Sequence, residues 1–154
     1  MNYEEIKSFV ITHPLDKEKY LVHSCLEGPE AGVYYRGEGE IKEDNTTTTI
    51  TLPNYVNKLC MKDEYTVTVT PIFDYDEKDF TTHNLNNIKL MTSTVKDGKF
   101  KVYGTKCKFN WVVFGKRFSI ETSQSKCNVT LRGIGPYTYL EHGFDDTFYS
   151  DGGY

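Results

Sequence analysis

The 154-residue chain has no apolar run approaching the roughly 18–20 residues that a membrane-spanning helix needs, so membrane insertion is not expected. It also has no Lys/Arg cluster. Its 18 basic residues are scattered, none forms a stripe interleaved with aromatics, and the net charge is −4. Nucleic-acid binding by phosphate neutralisation and docking on an anionic lipid surface are therefore disfavoured. Cysteine is sparse and spread out. Cys25, Cys60, Cys107 and Cys127 include no CxxC pair, so a four-cysteine zinc site lacks its usual close pairs. His13, His23, His83 and His142 show no HxH or HxxxH spacing. No metal and no other cofactor is expected. The start, "MNYEEIKSF", is acidic and polar, unlike a secretory signal peptide, which predicts a chain that begins near Met1 in a reducing compartment without disulfides. The N-x-T triplets at Asn45 and Asn128 would matter only in a secretory lumen. Two short glycine pairs, "GEG" (37–39) and "GIG" (133–135), are not followed by a helix, so no phosphate loop is present.

What the chain does have is aromatic residues, 12 Tyr and 9 Phe beside 1 Trp, and a hydrophobic period of two. "EYTVTVTPIF" (64–73) alternates Tyr65, Val67 and Val69 with threonines. "KFKVYG" (99–104) alternates Phe100 and Val102 with lysines. "CKFNWVVFG" (107–115) alternates Cys107, Phe109, Trp111 and Val113 with polar neighbours, and "TTTTITL" (46–52) sets Ile50 and Leu52 on one side. Such alternation marks strands with one buried and one wet face. Further strands are predicted at 6–12, 19–26, 31–41, 86–93 and 126–132, with turn chemistry at "KEDN" (42–45), "KDG" (96–98), "YGT" (103–105) and "GIGP" (133–136). Asp97-Gly98 between two strand-like runs predicts a hairpin. One short helix is predicted near 54–60, after Pro53. The fold class is thus all-β: an antiparallel β-sandwich, with jelly-roll-like connections as one way to join its strands. Residues 1–140 form one domain in this reading. Residues 141–154, "EHGFDDTFYSDGGY", form an acidic aromatic tail whose Phe144, Phe148, Tyr149 and Tyr154 would anchor it on a partner.

The stretch "LVHSCLEGPEAGVYYRG" (21–37) carries the most reactive residue types. Cys25 and His23 share a strand face, which would allow contact in a Cys/His hydrolase. No oxyanion donors beyond ordinary strand backbone are evident, however, and nucleophiles favour strand ends or helix N-termini where N–H groups are free. Glu27 and Glu30 would need a cleft between them for glycoside hydrolysis, whereas Glu27-Gly28-Pro29-Glu30 reads as a turn. Asp74, Asp76 and Asp79 lack the glycine and the terminal glutamate of a calcium loop. The expectation is that the chain is not an enzyme.

The order of motifs "SFVITHPLDKEKYLVHSCLEGPEAGVYYRGEGEI" (8–41), "TITLPNYV" (49–56), "YTVTVTPI" (65–72), "GKFKVYG" (98–104), "FNWVVFGKR" (109–117) and "GPYTYL" (135–140) resembles a β-rich module of viral and phage tail-fibre or virion-fibre proteins. The resemblance is nearest to versions in large DNA viruses of protists and algae. It covers residues 8–140, and its distinctive part is "HPLD…KYLVH…EGPE…VYYRG". The module often lies beside collagen-like repeats or an endosialidase-type intramolecular chaperone, and neither is found in these residues. In phage versions an apolar aromatic stands where this chain has Cys25, which implies that no thiol is required there.

The motif residues read consistently with that module. His13-Pro14 ends a strand and begins a turn, because a residue before proline is pushed to extended geometry. Leu15 and Tyr20 are expected to bury on either side of that turn, and Asp16 to accept backbone hydrogen bonds within it. His23 is expected as a hydrogen-bonded, subsurface residue. Tyr34 and Tyr35 point to opposite faces, so one of them is exposed. Arg36 is expected to pair with Glu27, Glu30 or Glu38, and Gly37 closes the motif. Trp111 is the leading core candidate. The resemblance implies a non-enzymatic virion structural module, made in the host cytoplasm. It would assemble with itself, as a homotrimer by analogy, and with other virion proteins, and would serve host attachment. A glycan-binding β-sandwich using exposed tyrosines is the alternative.

Overall fold

In the computed structural model, residues 8–76, 87–134 and 138–142 are described, without the side chains of Ser8 and His142. The chain divides into two compact units, residues 1–120 and 121–154. The first unit holds, in order, β1 (Ser8–His13), β2 (Asp16–Ser24), β3 (Glu30–Ile41), β4 (Thr46–Thr51), α1 (Val56–Leu59), β5 (Tyr65–Ile72), β6 (Leu90–Thr92), β7 (Lys99–Gly104) and β8 (Cys107–Ser119). Each run predicted from its period of two within this unit is a strand or contains one. All pairings are antiparallel, and the architecture is an all-β, sandwich-like fold with one short helix.

Two three-stranded sheets make the body, in orders β3-β8-β5 and β4-β7-β6. β3 runs beside β4, and β5 beside β6, so the edges of the two sheets meet on both sides. The inward residues of alternating strands fill the space between them. Ile41, Phe100, Val102, Phe109 and Val113 are fully buried there. Asp97 and Gly98 both adopt positive φ, at 51° and 69°, which is the geometry of a two-residue I′ hairpin. Lys96 and Lys99 exchange backbone hydrogen bonds across it at 2.8 and 3.0 Å.

Two glycines explain how the large rings fit. Gly37 and Gly39 lie directly opposite Trp111 and Phe109 on the neighbouring strand. A Cβ on Gly39 would stand 2.4 Å from Phe109 Cζ, and one on Gly37 would stand 2.7 Å from the Trp111 ring. The missing side chains are the space the rings occupy. Phe109 thereby takes the centre of the core. Trp111 corrects the sequence expectation: it is only half-buried, packed edge-on to Phe100 at 5.7 Å, with its indole N–H donating to Glu38 O at 3.3 Å. Both residues have the inward parity of β8, but Trp111 is the less deeply buried.

The helix is a single turn. Tyr55 caps it without a side-chain hydrogen bond, and Cys60 N–H to Val56 O closes it. Four residues cannot nucleate a helix by themselves. Burial of Val56 and Leu59 against the core holds this one.

β1 and β2 form a separate two-stranded hairpin with Pro14-Leu15 at its turn. Its inner face, with Leu21, Phe9 and Ile11, packs on the body's core. Its outer face carries the residues of opposite parity, which corrects a second expectation. Tyr20 is 75% exposed and Leu15 48%. Leu21 buries, so its neighbour in the pleat must face outward.

The second unit contains β9 (Val129–Arg132) and β10 (Tyr139–His142), paired antiparallel. Leu131 lies opposite Leu140, and Arg132 Nε donates to Glu141 Oε2 at 2.7 Å. Composition changes at residue 141, whereas contacts divide the chain after Ile120. Phe144, Phe148, Tyr149 and Tyr154 lie outside the described residues.

Candidate functional site

The motif that stood out in the sequence builds a seam of rings where the first hairpin meets the body. β2 delivers His23, β1 delivers Phe9 and His13, β3 delivers Tyr35, and the residue before α1 delivers Tyr55. His23 Nε2 and Tyr55 Oη are 3.0 Å apart and hydrogen-bond in either tautomer. The His23 ring also meets Phe9 at 5.0 Å, Tyr55 at 5.8 Å and, edge-on, Tyr35 at 6.2 Å. His13 meets the Tyr55 ring edge-on at 5.6 Å. Tyr55 is therefore flanked by two histidines from one hairpin.

Arg117 completes the seam. The register of β3 on β8 shifts between Ala31 and Gly32, which pair with Phe118 and Lys116, so Arg117 has no partner in the ladder. Its guanidinium carbon lies 4.0 Å from the centroid of Phe9. The Phe9 ring thus contacts both a guanidinium and an imidazole. Burial, then the nearby Arg117 charge, holds the His23 imidazolium below its ordinary pKa. Both effects penalise the charged ring, so His23 is neutral in the folded protein at pH 7.

Deeper in, burial pushes the Tyr65 phenol up to about 12, with Cys60 adding to the effect. Tyr35 is pushed up further, by burial first and then by the Tyr55 hydroxyl. The Tyr35 hydroxyl oxygen is buried and makes no hydrogen bond of acceptable geometry among the described residues. Burial also raises the Cys60 thiol, whose sulfur fills the place a Cβ on Gly115 would occupy. These groups stay protonated at neutral pH. The seam joins elements by ring packing and one hydrogen bond.

The other motif residues divide around it. Asp16 accepts from Glu18 N at 3.1 Å and pairs with Lys19 at 2.9 Å, while Leu15 N donates to His13 Nδ1 at 3.1 Å, so both residues order the Pro14 turn. Gly28 and Pro29 form a bend in which Gly28 has no positive φ. Tyr34 points outward and lies 6.4 Å from the exposed ring of Phe114. Arg36 is exposed, and among the described residues it makes no ion pair, which corrects its expected pairing. Glu30 instead faces Lys116 at 4.0 Å, because the register places the two near each other across the sheet. Cys25 lies just past β2, half-buried, and is a free thiol like Cys60, Cys107 and Cys127. A shallow cleft of about 300 Å³ opens beside the seam, lined by His23, Ser24, Leu26, Val33, Tyr34 and Tyr35.

Phe9, Tyr55 and Arg117 were not singled out by sequence reasoning. Tyr55 falls within the helix predicted near 54–60, but nothing local signals the bulge that aims Arg117 at Phe9. Among the described residues there is no cluster of three or more His, Cys, Asp or Glu able to hold a metal ion. No described helix is long and apolar enough to cross a membrane. Comparison of the chain with family models, curated proteins and solved structures gave no match.

Proposed function

We propose that the chain is a non-enzymatic structural module of a virus particle, of the fibre type, which works by protein–protein assembly. The observation that carries the assembly reading is the outer face of the first hairpin. Val10 and Val22 lie opposite each other and are 57% and 56% exposed, with Tyr20 next to them at 75%. This is a contiguous apolar patch on a two-stranded sheet whose other face is committed to the body. Such patches mark interaction surfaces, since covering them gains about 25 cal/mol for each Å² removed from water. The virion setting and a trimeric state rest on the motif resemblance alone. The His23–Tyr55 seam gives the patch a fixed platform in this reading.

Sedimentation of the purified chain tests assembly. The expected result is a homo-oligomer at micromolar concentration that Val22→Lys converts to a folded monomer. Mass spectrometry of purified particles is expected to find the chain. A monomeric wild-type protein absent from particles overturns the proposal.

A further inference from the structure

A second cleft, of about 350 Å³, lies at one end of the β4-β7-β6 sheet and is unlike the first. Its walls come from three segments that backbone contacts hold in place. Asn45, at φ 60°, donates its N–H to Gly104 O at 2.9 Å. Thr105 N donates to Lys89 O at 2.9 Å, and the Thr105 hydroxyl accepts from Lys89 N at 3.0 Å and donates to Asn87 O at 3.2 Å. Gly104 is obligatory here, because a Cβ would stand 1.9 Å from Lys89 O. The frame is pinned, yet the polar side-chain ends around it are uncommitted. Among the described residues, Asn45, Asn87 and Lys89 make no side-chain hydrogen bond or ion pair. The ring of Tyr103, flanked across the strands by Thr47 and Met91, forms a partly exposed apolar wall.

Two amides, one ammonium without a partner among the described residues, and one ring line a preformed cleft and fit a particular ligand chemistry. Sugars offer an apolar C–H face to a ring and hydroxyls to amides. Lys89, which has no ion-pair partner among the described residues, selects for an anion, and Lys101 shares the outward face of β7 with Tyr103. Asp44, the nearest acid in sequence, has Oδ1 committed to the Lys106 N–H at 2.7 Å. We propose that this cleft binds a carboxylate-bearing sugar, with Tyr103 as the stacking wall, Lys89 on the carboxylate, and Asn45 and Asn87 on hydroxyls.

Amide-resolved NMR titration of the whole chain tests this with trigalacturonate and a glucuronate disaccharide, beside uncharged galactotriose. The expected result is saturable shifts at 45, 87–91 and 103–105 with an acidic sugar and weaker ones with galactotriose. Lys89→Gln should weaken acidic-sugar binding roughly tenfold, as loss of a charge-assisted hydrogen bond does. Tyr103→Ala should weaken both classes, and Tyr34→Ala, in the other cleft, neither. Thermal melts of each variant establish that it is folded. No shifts with either acidic sugar at about 10 mM, a concentration that detects even millimolar affinity, would overturn the proposal. So would equal binding of galactotriose, or affinity unchanged by Lys89→Gln.

Discussion

The six-stranded body and the hairpin docked on it are held by different physics. Inside the body, Phe100, Phe109, Ile41, Val102 and Val113 exclude water completely, and two glycines make room for the rings. Beneath the hairpin, Leu21 and Ile11 pack on the core, but the remaining contacts are half-buried rings, one His–Tyr hydrogen bond, and an arginine over a phenylalanine. The first kind of contact depends on volume and hardly on pH. The second depends in part on the charge of one imidazole. The hairpin is therefore the part of this unit whose attachment conditions can change while the body stays intact.

The largest effect should come from the body. Phe109→Ala should destabilise by about 3–5 kcal/mol, the usual range for a buried ring, and Trp111→Ala by clearly less, because the indole is partly in water. Chemical denaturation of the pair checks the order, and equal losses would show that Trp111 is buried as deeply as Phe109. Gly39→Ala comes next. Its Cβ would collide with a ring that has no free side to move into, and overpacking of this kind costs about 1–3 kcal/mol.

The seam gives smaller numbers. Replacing His23 with Phe removes the hydrogen bond to Tyr55 and should cost about 1 kcal/mol at neutral pH. The sign of its pH dependence is set by a folded pKa below the ordinary 6.5. The unfolded chain takes up the proton first, so stability present above pH 6.5 is lost as the pH falls through the folded value. The rings of Tyr35 and Tyr55 face the imidazole, and the charge that acts on it is that of Arg117. In His23→Phe this acid loss should shrink. The smallest effect is expected at Tyr35. Its hydroxyl is buried and makes no hydrogen bond of acceptable geometry among the described residues, so Tyr35→Phe should be neutral or stabilising by up to about 1 kcal/mol in thermal melts, where an ordinary buried tyrosine would lose stability.

Legibility in the sequence follows the same divide. Strands β5, β7 and β8 could be read because Val67, Val69, Phe100, Val102, Phe109 and Val113 alternate with polar residues, and alternation is a local property. The Asp97-Gly98 hairpin was readable for the same reason. Depth within a face was not. Trp111 and Phe109 share a parity, and only the partner strand's Gly39 and the opposite sheet's Phe100 decide which ring sits at the centre. "KYLVH" likewise alternates on both faces, Tyr20 and Val22 against Leu21 and His23, so which one buries depends on where the hairpin docks. Strand β10 was missed because four residues near a change in composition carry too little periodicity. In the candidate seam, His23 and Tyr35 were legible as motif residues. Arg117 was not, since a bulge is a property of two paired strands.

Amide hydrogen exchange, followed residue by residue at pH 7 and again at pH 5, tests most directly whether the hairpin's attachment depends on His23. The expected result is faster exchange at β1 and β2 in acid, after correction for intrinsic rates, with protection of Phe109 and Val113 in β8 unchanged and with the acid effect absent in His23→Phe. Protection that falls equally in the hairpin and in β8, or that stays constant in both, would contradict it.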